Sequence, residues 1–363
     1  TDIKNPDIIE RNKLKRLNNA KTGGSMVKLE DIARRASVSI ATVSYILNDK
    51  ASNVPVSEKT REKVLRIAKE LGYTPNPFAR SLRTKKSNII GVIVWDLTDP
   101  YFSTILSGVE HVLEQSGYYL VLNDANKQTE KAAGCMEKLN TISTEGVLVL
   151  GLGHAHDSEI FANLHEQMNI VSIATKSWNS NISSVYVDNF KGGYMAMDYL
   201  FSQERNCYFY VSAAELTTDE EQRLQGVQKA VQENNYGDRF TLIEARLGEE
   251  GGYRATKRLL QKCEPPISIF AMDDITAIGC VRAIKDRGLQ IPGEVAIMGF
   301  DDLSITRYIE PRLTTIRQPR FELGEKGAQL LLGLLEQKPD VQKTDKRVKN
   351  VVLEPSIVVR EST

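Results

Sequence analysis

Few side chains in this sequence stand at spacings that could make or break bonds. His154 and His156 sit two apart behind Gly151-Leu152-Gly153 and could begin a metal site, but no further ligand follows at a readable spacing. The same histidines interrupt what would otherwise start a GxGxxG dinucleotide loop. No GxSxG, HExxH or Walker A motif occurs. Cys135, Cys207, Cys263 and Cys280 lie far apart with no CxxC pair. Scattered thiols in a reducing compartment explain them better than a disulfide or metal framework. The expectation is a protein that binds rather than catalyses, with no cofactor and no metal.

Charge shows where binding could occur. The 363 residues carry 47 basic and 47 acidic side chains, and this balance conceals a division along the chain. Residues 26–87 hold 13 Lys or Arg against 6 Asp or Glu, and residues 1–25 hold 6 against 3. The remainder holds 28 against 38. A small basic module on an acidic body implies that one end meets a polyanion. No apolar run approaches the roughly 20 residues of a membrane span. The start lacks a secretory apolar segment, so a cytoplasmic location without membrane contact is expected.

Residues 1–25 are polar and lack an apolar stripe, which predicts an unstructured N-terminal extension. Met26, directly after Gly23-Gly24-Ser25, is the expected natural start, with a basic DNA-touching arm as the alternative. Residues 26–74 predict three short helices. Leu29, Ile32, Ala33 and Ala36 share one helical face. Ser39 is a suitable N-cap for a second helix through Leu47, with Val43 and Ile46 turned to the core. Ser57 caps a third helix that buries Val64, Leu65, Ile67, Ala68 and Leu71 and stops at Gly72.

Two short helices joined by a tight turn, in VKLEDIARRASVSIATVSYILND, have helix-turn-helix form. Ala33, Ala36, Val38, Ser39, Thr42, Val43 and Ser44 match the headpiece pattern of the lac-repressor family, and SEKTREKVLRIAKELGYTPN resembles its third helix. The resemblance implies a sequence-specific transcription regulator, expected to be a repressor, that binds double-stranded operator DNA. The second helix would enter the major groove, where base edges carry a distinguishable code. Ile40, Ala41 and Tyr45 would read bases, while Ser39, Thr42, Ser44 and Asn48 would hold phosphates or cap. Two positions depart from the family. Ser37 stands where glycine is usual in the turn, at a cost of about 1 kcal/mol if the backbone is left-handed there. Tyr45 stands where arginine is frequent and cannot grip guanine with two donors, so no operator sequence carries over.

Residues 75–87 form the expected hinge. Asn76 can cap and Pro77 suits a first helical position, but the segment is too short to be a stable helix alone. The resemblance implies that it folds on the operator. Ala79 would then meet a paired hinge, Leu82 would wedge into the minor groove, and Arg83 would lie near phosphates.

From residue 88 onward, near-continuous apolar runs alternate with helical segments. Strands are expected at 89–96, 119–123, 147–152, 170–175, 185–188, 208–212, 241–245, 267–272 and 295–300. Such runs suit parallel strands covered on both faces. The expected fold is a small all-α helix-turn-helix headpiece plus an α/β body of two doubly wound lobes, resembling periplasmic binding proteins of type I. Lobe 1 would comprise about 88–187 and 320–346, and lobe 2 about 188–319 and 347–363. By the same resemblance Tyr101, Phe102, Thr175, Arg223, Asp273 and Asp301 would bind a small sugar-like effector between the lobes, with Asp99 on the same loop as Tyr101 and Trp178 nearby. Carboxylates would accept from hydroxyls, the guanidinium would donate, and the aromatic rings would cover an apolar face. Effector binding would change the spacing of two headpieces in a homodimer, since no leucine heptads follow IVVREST. A phosphorylated carrier protein, bound by some relatives, is a further partner left open. The competing readings are an α/β metabolite-handling enzyme and a secreted sugar-binding protein.

Overall fold

A computed structural model describes residues 27–47, 56–73, 86–152, 168–177, 179–336 and 348–363. They fall into two units, divided between Lys85 and Lys86.

The first unit contains α1 (Leu29–Ala36), α2 (Ile40–Leu47) and α3 (Glu58–Leu71). Ile32, Ala33, Ala36, Val43, Ile46, Val64, Ile67 and Ala68 form its core. None of these helices could persist alone, so mutual burial of one apolar face is what holds them. Leu65, expected inside, is 45% exposed. Val64, Ile67, Ala68 and Leu71 already define the inner face at helical spacing, and Leu65 lies about 100° round from Val64. Ser57 accepts a hydrogen bond from the Thr60 amide at 3.3 Å, and Gly72 ends α3 at φ 65°. Ser37 ends α1 in the left-handed region, at φ 56° and ψ 46°.

The body holds two six-stranded sheets. The first runs β11-β5-β4-β3-β1-β2, built from β1 (Ile89–Val94), β2 (Tyr119–Asp124), β3 (Gly146–Leu150), β4 (Asn169–Ala174), β5 (Ser183–Val187) and β11 (Asn350–Leu353). Helices α4 (Pro100–Gln115) and α10 (Arg320–Glu336) cover one face, and α5 (Thr129–Thr141) covers the other. The second runs β12-β10-β9-β8-β6-β7, from β6 (Cys207–Ala213), β7 (Phe240–Ala245), β8 (Ile267–Ala271), β9 (Val295–Asp301), β10 (Thr314–Arg317) and β12 (Ser356–Val358). Here α6 (Asn189–Phe201) and α7 (Thr218–Glu233) pack on one face, opposite α8 (Glu249–Leu259) and α9 (Asp274–Asp286). Among the described residues every strand pair is parallel except β10 with β12. Double coverage explains the unbroken apolar strands: Ile90, Val92 and Val94 face one core and Ile93 the other.

Three short strands, β10, β11 and β12, add to the nine expected. One of them corrects the lobe boundary. Val351 of β11 pairs with Val185 of β5 in the first sheet, so residues 350–353 belong to lobe 1 rather than lobe 2. The open edge of β5 takes this strand, and the chain returns to the second lobe only at β12. The body is therefore crossed three times, after β5, after β10 and after β11. Helices α6 and α7 touch backbone to backbone. A Cβ at Gly193 would strike the carbonyl oxygen of Arg223, and one at Gly226 that of Phe190. This closeness fixes α7, whose first two turns carry Asp219 and Arg223.

Candidate functional site

In the headpiece, the start of α2 is its open face. Ile40 is 48% exposed and Ala41 is also exposed, while Tyr45 is half-buried and rests against the core. Ser39 accepts a hydrogen bond from the Thr42 amide at 3.1 Å, and the two hydroxyls lie 2.8 Å apart. Ser39 and Thr42 thus cap the helix together, leaving Ile40 and Ala41 as its outward residues, and Ser44 is half-buried. Asn48 and the hinge residues Ala79, Leu82 and Arg83 lie outside the described residues, as do His154, His156 and Trp178.

In the body, the strands of both sheets end at a common cleft, where open parallel sheets place ligands. It encloses about 880 Å³, and Tyr101, Phe102, Thr175, Arg223, Asp273 and Asp301 all line it. These six come from five separate segments, and the crossing chain brings them together. Asp99 begins α4 as its N-cap, accepting from the Tyr101 amide at 2.8 Å, and so aims the Tyr101 ring at the cleft. The Tyr101 hydroxyl donates to Gln318 Oε1 at 3.0 Å, and Gln318 Nε2 donates to Asp301 Oδ1 at 2.6 Å. Phe102 is buried beside Gly151, in the core of lobe 1. Asp273 caps α9 through the Thr276 amide at 2.6 Å.

Arg223 is committed to its own lobe. Its guanidinium lies 3.5 Å over the Phe300 ring, donates to Asn189 Oδ1 at 2.9 Å and also to the Met272 carbonyl. Its Nε has no partner among the described residues. No ion pair of 4.0 Å or less joins Arg223 to Glu220 or Glu221 among the described residues. Across the cleft, Thr175 of lobe 1 donates its hydroxyl to Asp219 Oδ2 of lobe 2 at 2.6 Å.

Burial dominates the electrostatics. It pushes Asp219 up to about 6 against the pull of the Thr175 hydroxyl and Arg223. It raises Asp301 well above the ordinary carboxylate range against the pull of Arg223, with Asp273 and Asp99 adding repulsion. Asp273 and Asp99 are raised by burial as well. Gln318, Asn189 and Asp219 were not expected from the sequence. Asp219 sits in an acidic first helical turn, where the ordinary reading is favourable placement near the helix N-terminus. Gln318 carries no signal short of knowing that the chain crosses there.

Comparison with known proteins accords with this architecture. Residues 28–76 match the model for bacterial regulatory proteins of the lacI family, and residues 198–363 match that for a periplasmic binding protein-like domain. The chain is 30% identical over 340 residues to the ribose operon repressor of Haemophilus influenzae, covering 93% of this chain and 98% of that one. It is 29% identical over 338 residues to the transcriptional repressor PurR of Histophilus somni, covering 93% and 99%. The solved lac repressor dimer bound to operator and the anti-inducer ONPF aligns with a TM-score of 0.83 at 25% identity, over 93% of this chain and 99% of that one. Both of these curated relatives are named as repressors. The chain belongs to the lacI family of bacterial regulatory proteins, a DNA-binding transcription regulator with a helix-turn-helix headpiece and a two-lobed periplasmic-binding-protein-like body.

Proposed function

We propose that the protein acts in the cytoplasm as a homodimeric repressor of a near-palindromic operator, and that a sugar or sugar-like metabolite between its lobes sets its operator affinity. The observation that carries the reading is that Tyr101, Thr175, Arg223, Asp273 and Asp301, distant in sequence, line one cleft between two lobes joined by three crossings. A ligand there would touch both lobes and so respond to their relative angle.

In this reading Ile40, Ala41 and Tyr45 meet base edges, Ser39, Thr42, Ser44 and Asn48 set register on the backbone, and Ala79, Leu82 and Arg83 act in the minor groove. In the cleft, Asp301 and Asp273 accept from ligand hydroxyls, Arg223 donates through its free Nε, and Tyr101 offers a ring face. Phe102 supports the site from the core. Operator and metabolite then alter each other's affinity by the same factor, because both act on one equilibrium between lobe arrangements.

A thermal-shift screen of sugars, sugar phosphates and nucleobases, combined with operator selection from random duplexes at low salt, tests this. One metabolite should shift the melt and change operator affinity together. Asp301→Ala should weaken that metabolite about 100-fold, on the order of 2.7 kcal/mol, while the unliganded protein still selects its operator. Failure to select any duplex would end the repressor reading, and turnover of the metabolite would favour an enzyme.

A further inference from the structure

The cleft is unusually rich in acceptors. Among the described residues, eight carboxylates line it against three cationic side chains, Lys127, Arg223 and Arg246. Two of the three are largely engaged: Lys127 pairs with Asp96 at 2.9 Å, and Arg223, apart from its Nε, is held by Asn189, the Met272 carbonyl and the Phe300 ring, while Arg246 stands exposed at the rim.

Asp219 carries the argument further. Its residue is only 9% exposed, Oδ2 receives the Thr175 hydroxyl, and Oδ1 has no partner among the described residues. A buried carboxylate with a bare oxygen is costly, and the cost is relieved by a donor that also brings positive charge. No cationic donor reaches Oδ1 among the described residues. Burial raises the Asp219 carboxyl and Glu220 adds repulsion, while the Thr175 hydroxyl, Arg223 and the Lys176 amide pull it down without cancelling the rise. A ligand hydroxyl would satisfy one lone pair and leave the charge. A phosphate or carboxylate would add like charge to a cavity already acidic. An ammonium does both tasks, and charge-assisted hydrogen bonds are roughly twice as strong as neutral ones.

We infer that the metabolite carries a protonated amine beside its hydroxyls, as an amino sugar or amino polyol does, and that Asp219 is the residue that selects the ammonium. The inference rests on the metabolite-binding reading of the same cleft.

Matched triads test it: a hexosamine, the hexose and the hexose phosphate, with the pentose equivalents, titrated by calorimetry into the full chain and into Asp219→Asn and Asp301→Ala. Asparagine keeps an acceptor for the Thr175 hydroxyl while removing the charge, and a thermal melt of the ligand-free variant reports its folding. The amine member should bind at least tenfold tighter than its hydroxyl twin, with the phosphate weakest. Asp219→Asn should bring the amine down to the hydroxyl twin's level, and Asp301→Ala should weaken both. The inference is overturned if twins bind equally, if the phosphate leads, or if Asp219→Asn keeps the amine preference. Those outcomes leave the metabolite reading standing. If no triad member binds and no other small metabolite does, both fall together.

Discussion

Ser37 is held where an L-residue with a side chain is uncomfortable, at φ 56°. The position is required because the chain must reverse between α1 and α2 within three residues. The reversal is tied by backbone bonds from the Ser37 amide to the Arg34 carbonyl at 3.4 Å and from the Val38 amide to the Ala33 carbonyl at 3.1 Å. Neither bond uses the serine hydroxyl. Ser37→Gly should therefore stabilise the headpiece by about 1 kcal/mol, read as a higher denaturation midpoint. A lower midpoint would mean that the hydroxyl contributes more than the backbone costs. This strain was legible in the sequence, as were the caps at Ser39 and Ser57, because turn and cap chemistry is local. Asp219 and Gln318 were not legible. What gives them a role is a partner 44 residues away for the first and 217 for the second.

Among elements, the decisive contact is the crossing of α6 and α7, where Gly193 and Gly226 each lie under the other helix's carbonyls. Gly226 is one turn beyond Arg223, so separating the helices would displace the guanidinium from Phe300 and Asn189. Gly226→Ala should cost about 1–3 kcal/mol through overpacking and weaken cleft binding as well. Gly134 in α5 and Gly333 in α10 have open space at the same position, and alanine there should stabilise by about 0.5–1 kcal/mol. Denaturation midpoints of the three variants decide the matter, and equal effects would sink the packing argument. The long strands could be read from the sequence because a strand buried on both faces shows as a continuous apolar run. β10, β11 and β12 could not, since three or four residues establish no period and their place is set by the edges of β9, β5 and β10. That is also why the lobe boundary near residue 347 was misplaced.

At the scale of the whole molecule, the buried acids of the cleft make the ligand-free body sensitive to pH, and the sign can be worked out. Asp219 titrates near 3.8 when unfolded and near 6 when folded, because burial disfavours its charge. The stability linked to it is complete below the unfolded value and is lost as pH rises through 6, since the folded state must then hold an ion it cannot solvate. Asp302 runs the other way. It accepts from Arg317 at 2.7 Å, from Arg307 at 3.3 Å and from Arg360, which hold its carboxyl below the usual range against its own burial. Its contribution is intact at any pH above the ordinary carboxylate value and fails only in stronger acid. Between pH 7.5 and 5.5 the cleft therefore governs. The ligand-free protein should melt higher at pH 5.5, by about 1 kcal/mol from Asp219 alone or roughly 2 °C, and Asp219→Asn should flatten that part of the profile. A bound amine should reverse the trend, because it keeps Asp219 ionised. Its affinity should fall as pH drops through 6, whereas that of a neutral sugar should not. Calorimetric melts with and without ligand at the two pH values separate these outcomes, and a ligand-free melt that is lower at pH 5.5 would contradict the electrostatic account of the cleft.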